Sequence, residues 1–318
     1  MAIATGSHST YDENDVSNRE DLSDIISDVS PTETPLLTMM GRTKATSTKH
    51  EYLVDTLKAV AANAHLEGGD MTGVNPADRV RNDNMCQILS KNSVVTGTQE
   101  KVDTAGMKSE MSYQMARRMK EMKRDLEYTL IGYSNLKVTG GTGAAREMGA
   151  LDSYLLTNDQ VVGASTSATG DGTDVSDRAG ADAAMTETIM KAALQSVFTN
   201  SGGNDSLNFI CSAATKGVVS TFTASSTRYV TTDDKKLTAS IDVYEGDFHT
   251  VRIIPDRFIQ TGDAYVIDPE YIKLAELRPI HSFDVAKVGD AEKKQIVWEC
   301  TLEVCNEKAH ALITDLTT

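Results

Sequence analysis

With 318 residues, the chain is long enough to bury a core in one or two compact units. Hydrophobic residues make up 40% and aromatic residues only 5%, with a single tryptophan and 13 methionines, so burial falls to aliphatic side chains, alanine and methionine. A formal charge of -15 excludes a protein that grips nucleic acid with its whole surface, because phosphate binding needs clustered lysine and arginine.

Residues 1 to about 17 are small and polar without apolar periodicity, and read as an extended or disordered lead-in. From there Leu22, Ile25, Ile26 and Val29 follow helical spacing, with Ser17 or Asn18 as N-cap. A second short helix is predicted at once. Ser30-Pro31-Thr32-Glu33 has the form of a capping box with proline at the first helical position, Leu36, Leu37 and Met40 supply an apolar face, and Gly41 ends it. Helices this short are marginal in water unless that face is buried elsewhere, so the arm they form must lie on something.

Residues 47 to 58 read as a strand, and 85 to 98, with Ile88, Leu89, Val94 and Val95, as its return, which together predict a long hairpin. Between them Glu67-Gly68-Gly69-Asp70-Met71-Thr72-Gly73 is rich in turn formers and poor in core formers, the composition of a tip that is mobile until partnered. A two-stranded ribbon is not independently stable in water. Residues 107 to 133 carry the clearest helical signal: Met111, Met115, Met119, Met122, Leu126, Leu130 and Tyr133 recur along one stripe. The interleaved Arg117, Arg118, Lys120, Lys123 and Arg124 face nucleic acid or an acidic neighbour, or else form a solvated face balanced by Glu121, Asp125 and Glu127.

Gly140-Gly141-Thr142-Gly143 and the stretch from Gly163 to Gly180 have loop composition. A further amphipathic helix is predicted over 183–199 through Met185, Ile189, Met190, Ala193, Leu194 and Val197. Then follow a strand at Leu207 to Cys211, a short helix around Thr215 to Phe222, strands at Ile241 to Tyr244 and Phe248 to Ile254 joined by Glu245-Gly246-Asp247, and a strand at Ala264 to Ile267. Near the end Trp298, Cys300, Leu302 and Val304 alternate with Glu299, Thr301 and Glu303, and a turn at Asn306-Glu307-Lys308 leads into a last strand, Ala309 to Thr314. The class is α+β.

No motif carries chemistry. There is no G-x-x-x-x-G-K-[ST], no G-x-S-x-G elbow and no H-E-x-x-H, and the six histidines are scattered. Cys86, Cys211, Cys300 and Cys305 form no C-x-x-C pair, so neither a disulfide framework nor a zinc site is indicated. The loop from Asp171 to Asp177 has its glycine at the wrong place for an EF-hand, and no glutamate closes it. The expectation is no catalytic residue, no cofactor, no metal and no membrane insertion, since the start lacks a signal pattern and no apolar run spans a bilayer.

An arm, a ribbon and a narrow-striped helix that cannot bury themselves, joined to one mixed domain, are aggregation hazards unless another chain covers them. Arm and ribbon project from different places, so the contacts are heterologous, and such contacts close into rings or shells or run on as filaments. The residues expected between subunits are Leu22, Ile25 and Leu36 on the arm, Leu53, Gly68, Gly69 and Met71 on the ribbon, and Arg117, Arg118 and Arg124 on the long helix.

The order of these elements resembles the major capsid proteins of tailed bacteriophages, which share the Hong Kong 97-type fold. Asn18-Arg19-Glu20-Asp21-Leu22-Ser23-Asp24-Ile25-Ile26, Ser30-Pro31-Thr32-Glu33-Thr34-Pro35, Val251-Arg252-Ile253-Ile254-Pro255-Asp256-Arg257-Phe258 and Glu303-Val304-Cys305-Asn306-Glu307-Lys308-Ala309-His310 are similar to one branch of phage head proteins. The resemblance implies an N-terminal arm over 1–48, an extended β-hairpin loop over 49–104, a peripheral domain with a spine helix over 105–184 and returning over 270–318, and an axial domain over 185–269. It implies a subunit of the virion that assembles with itself in the host cytoplasm into pentamers and hexamers around DNA. The implied further partners are a portal, a decoration protein and a separate scaffold protein, since the chain shows no long charged helical extension ahead of the arm. A polymerising, adhesin-like surface protein is the alternative, and would want a signal sequence; an enzyme comes third.

Overall fold

The computed structural model describes residues 30–70, 79–161, 167–176, 182–201, 205–222 and 242–317. The predicted lead helix with Leu22 and Ile25, and Met71 at the ribbon tip, lie outside them.

In chain order the elements begin with α1 (Pro35–Met39), β1 (Gly41–Lys44), β2 (Lys49–Val54), β3 (Val80–Met85) and β4 (Gln87–Thr96). Next come α2 (Gly97–Lys101), α3 (Glu110–Glu127), β5 (Asp159–Val161), α4 (Glu187–Asn200), β6 (Ser206–Cys211) and α5 (Ala213–Val219). The chain continues with β7 (Val243–Glu245), β8 (Thr250–Pro255), β9 (Ala264–Ile267), β10 (Ile272–Val285), β11 (Ala291–Val304) and β12 (Ala311–Thr314). They build a four-stranded sheet in the order β1-β10-β11-β4, a six-stranded sheet in the order β5-β12-β9-β6-β8-β7, and the separate ribbon β2-β3.

Helix α1 starts at Pro35, four residues later than the capping box predicts, with Thr34 as N-cap. The local box is unused because a distant carboxylate takes the orphan amides: Leu36 and Leu37 donate their N–H groups to Glu127 at 2.7 and 2.8 Å. Leu36, Leu37 and Met40 are buried, as their spacing predicts.

The ribbon differs from the predicted pairing. Strand β2 pairs antiparallel with β3, from Lys49 opposite Met85 to Val54 opposite Val80. The segment 85–98, predicted as the return strand, forms β4 instead and pairs with β11. Val80-Arg81-Asn82-Asp83-Asn84-Met85 is too polar to show an apolar alternation, whereas the alternation from Ile88 to Val95 belongs to a strand with one face on the core.

Helix α3 is capped by Ser109, whose hydroxyl accepts the Ser112 N–H, and runs on as a π-helical turn over Tyr128–Gly132. Met111, Met115, Met122, Leu126 and Leu130 are buried along it, while Met119 sits at the solvent rim and Tyr133, beyond the π turn, is exposed. The π turn needs a glycine at its end: a methyl on Gly132 would overlap the Phe258 carbonyl oxygen and the Tyr128 ring.

Two cores result. One joins α1, α3 and the four-stranded sheet through Leu36, Met115, Leu126, Ile131, Trp298 and Leu302. The other packs α4 on the six-stranded sheet through Met190, Leu194, Val197, Phe209, Val251 and Ile313. Helices α4 and α5 begin at the hydroxyl caps Thr186 and Ser212, within a few residues of prediction, and β7, β8 and β9 match their predicted strands closely. The alternation predicted at Trp298 to Val304 gives way to continuous burial from Ile296 to Leu302. The ribbon base, with Ala45 and Cys86 against Ala275, covers the face that would otherwise meet water.

Candidate functional site

The ribbon is clamped at its root and uncovered beyond it. Buried Asn84 ties three elements together: its Nδ2 donates to the Leu302 carbonyl at 3.0 Å, and its Oδ1 accepts from the Gly149 and Met85 N–H groups at 2.9 and 2.8 Å. His50 Nε2 lies 2.9 Å from Glu303 Oε2, and this bond holds the Glu303 carboxyl below its ordinary range. The Tyr154 hydroxyl donates to the Asp83 carbonyl at 3.0 Å, and the Val304 N–H donates to the Tyr52 hydroxyl at 3.4 Å. Burial pushes both phenols up.

Past Val54 the chain leaves its own body. Leu57 is 100% and Leu66 84% exposed, and Val60, Gly68 and Gly69 are exposed with them. Leu53, also exposed, lines with Leu57, Leu156, Tyr271 and Asn306 an open groove of about 820 Å³ beside the ribbon root.

Of the predicted contact residues on α3, Arg117 is exposed and stacks its guanidinium 5.8 Å from the Tyr113 ring centre. Arg118 is partly buried and pairs with Glu121 at 2.6 Å, and Arg124 lies 5.3 Å over the Phe258 ring. Arg117, Lys120 and Arg124 follow one stripe of the helix, beside Ser30 and Thr32 at the start of the described arm. Leu36 corrects its prediction: it is wholly buried in its own subunit and leaves no surface for another copy.

Three polar groups escape a reading by residue type. Glu127, expected on a solvated face, is fully buried under α1. Asp256 sits beside it, buried, its Oδ1 accepting the Phe258 N–H at 2.8 Å. Burial, and then the charge of Asp256, hold the Glu127 carboxyl well above the ordinary range, and burial raises Asp256 too. Glu299, which alternates with apolar residues in the sequence, is buried between two guanidinium groups, with Oε1 2.7 Å from Arg146 and Oε2 2.6 Å from Arg278. A carboxylate inside an apolar stretch, one residue off the stripe, is the signal that points to such groups.

The four cysteines are free, and the described residues hold no group of three metal-binding side chains. No helix among the described residues is long and apolar enough to cross a membrane.

A clamped ribbon, a spine helix beneath an arm, and two sheet-based cores make the α+β fold of Hong Kong 97-type phage capsid proteins. The capsid chain of cyanophage A-1(L) superposes with a TM-score of 0.66 at 13% identity, covering 95% of this chain and 98% of that one. The capsid chain of a native GTA particle gives 0.61 at 14% identity, covering 99% and 100%. At such identities the likeness establishes the fold alone. The family follows from sequence: the model of the SU10 major capsid protein family matches residues 4–317, and the chain belongs to that family. The major capsid protein of Escherichia phage Phieco32 is 32% identical over 147 residues, which is 46% of this chain and 38% of that relative. The match thus spans well under half of the relative's length.

Proposed function

We propose that this chain is a structural subunit of the virion that assembles with copies of itself, as pentamers and hexamers, into an icosahedral shell enclosing double-stranded DNA. Besides family membership, the observation that carries this is the stretch after Val54, whose Leu57, Val60 and Leu66 are left exposed by their own subunit. Each such side chain gains about 1.5–3 kcal/mol on full burial, and the gain recurs at every copy of the contact. In this reading residues 1–48 are the arm and 49–104 the extended loop reaching over a neighbour. Residues 105–184 and 270–318 form the peripheral domain and 185–269 the axial domain around the capsomer centre. Leu53, Gly68, Gly69 and Met71 meet the neighbouring copy from the loop, and Leu22 and Ile25 from the arm. Arg117, Arg118 and Arg124 meet acidic surface on a chain whose net charge is -15. Packaged DNA touches the inner surface weakly, and a portal, a separate scaffold and a decoration protein complete the set of partners. The role is architectural, with no chemical step.

The test is to express the chain with its phage's neighbouring genes, purify by size and image by negative stain, beside a variant carrying Leu57→Asp, Val60→Asp and Leu66→Asp. Closed shells from the parent and soluble unassembled protein from the variant are expected. Normal shells from the variant would remove the loop from the assembly mechanism, and a parent that stays monomeric across conditions would sink self-assembly itself.

A further inference from the structure

Where the arm meets the body, two carboxyl groups are buried side by side. Glu127, the last residue of α3, spends Oε1 and Oε2 on the first amides of α1, and Asp256 follows Pro255 at the end of β8. The Asp256 backbone N–H donates to the Cys211 carbonyl at the end of β6, and its Oδ1 takes the Phe258 N–H. Its Oδ2 is buried without a donor when both carboxyls are ionised; a proton on Glu127 supplies one. We propose that Glu127 and Asp256 hold one proton between them, and that this shared proton latches α1 onto the body until it is lost.

The surrounding charges leave no other way to pay for two buried carboxylates. Helix α1, Pro-Leu-Leu-Thr-Met, has no titratable side chain. On α3, Lys123 is exposed and Arg124 is turned over the Phe258 ring. On the segment after β8, Arg257 is exposed and offers Asp256 its backbone N–H. Cys211 keeps its thiol proton, since burial pushes it up to about 12. None of the strongest influences on either carboxyl comes from a lysine or arginine side chain. A second negative charge here is uncompensated and sits against the only acceptors that α1 has for Leu36 and Leu37.

The sign follows from proton counting. Latched Glu127 keeps its proton up to about pH 8, whereas a released, solvated carboxyl loses it in the ordinary range. Between those limits opening releases a proton, so the opening constant of α1 rises up to about tenfold per pH unit and levels off above them. The latch is firm in acid and loosens toward mild alkali, the reverse of an ion pair.

Amide hydrogen exchange of the full-length chain reads this at Leu36 and Leu37 and is separate from any shell count. Asp256→Asn keeps the Oδ1 acceptor for Phe258 and offers Nδ2 to Glu127, removing the need for a shared proton. Between about pH 6 and about pH 8, exchange at these two amides in the parent should outrun that in the variant by a factor growing about tenfold per pH unit. The same pH profile in both chains would overturn the proposal. Should the variant fail to fold, infrared spectra of the parent decide: a protonated carboxyl band at neutral pH, lost in mild alkali and absent from Glu127→Gln, is expected. A parent without that band, or a Glu127→Gln chain that retains it, would refute the shared proton.

Discussion

Asn84 offers the sharpest test of how the ribbon root is held. Replacing it with alanine strands the Gly149 N–H and the Leu302 carbonyl in a buried setting and removes the acceptor for the Met85 N–H. Each stranded group costs about 1–3 kcal/mol. With some relief from water entering the vacated space, the total is about 3–5 kcal/mol. Asn84→Asp should cost more, because it turns the donor facing the Leu302 carbonyl into an acceptor and buries a charge with no cation bonded to it. The single tryptophan, Trp298, is buried in β11 a few residues from Leu302, with its indole N–H donating to Glu276 Oε1 at 3.2 Å. Its fluorescence therefore follows urea unfolding of this sheet. An Asn84→Ala loss below about 1 kcal/mol, or an aspartate no worse than the alanine, would show that these bonds do not hold the root.

Gly132→Ala should destabilise by about 2–3 kcal/mol in the same assay, since the added methyl meets backbone at the Phe258 carbonyl and must push the π turn off it. Glu299→Ala, which leaves Arg146 and Arg278 facing each other without their carboxylate, should cost about 2–4 kcal/mol, while Arg278→Ala, at the more exposed partner, should cost about 1 kcal/mol or less. The Glu303 carboxyl is held down by its bond to His50, so its contribution is present above the ordinary carboxylate range and is lost as pH falls below that range through the lowered value. Proteolysis of the ribbon root in the parent should therefore quicken in acid, and His50→Ala should flatten that dependence.

Long periodic signals survived contact with the structure and short polar ones did not. The α3 stripe, the α4 stripe and the hairpin of β7 and β8 were legible because many residues repeat one instruction. The ribbon's true return strand was not: Asn82, Asp83 and Asn84 look like turn residues until a second layer gives Asn84 its hydrogen bonds. The start of α1 was misplaced for a related reason, since the groups that settle it, Glu127 and the two amides, lie some 90 residues apart. The alternation around Glu299 says nothing of its burial, which Arg146 and Arg278, from two other segments, make possible.

Strand β1 is four residues long, lies parallel to β10 from Gly41 opposite Lys273 to Lys44 opposite Glu276, and is the one strand or helix between α1 and the ribbon strand β2. A pull along the chain that gets past the clamps at the ribbon root reaches β1 next. Loaded that way, its bonds to β10 share the force and must slip together, with the Arg42 to Glu276 ion pair across the same register, whereas a pull from the side would peel them one by one. The short strand therefore works as a shear pin between α1 and the ribbon: four paired residues resist a lengthwise pull as one unit.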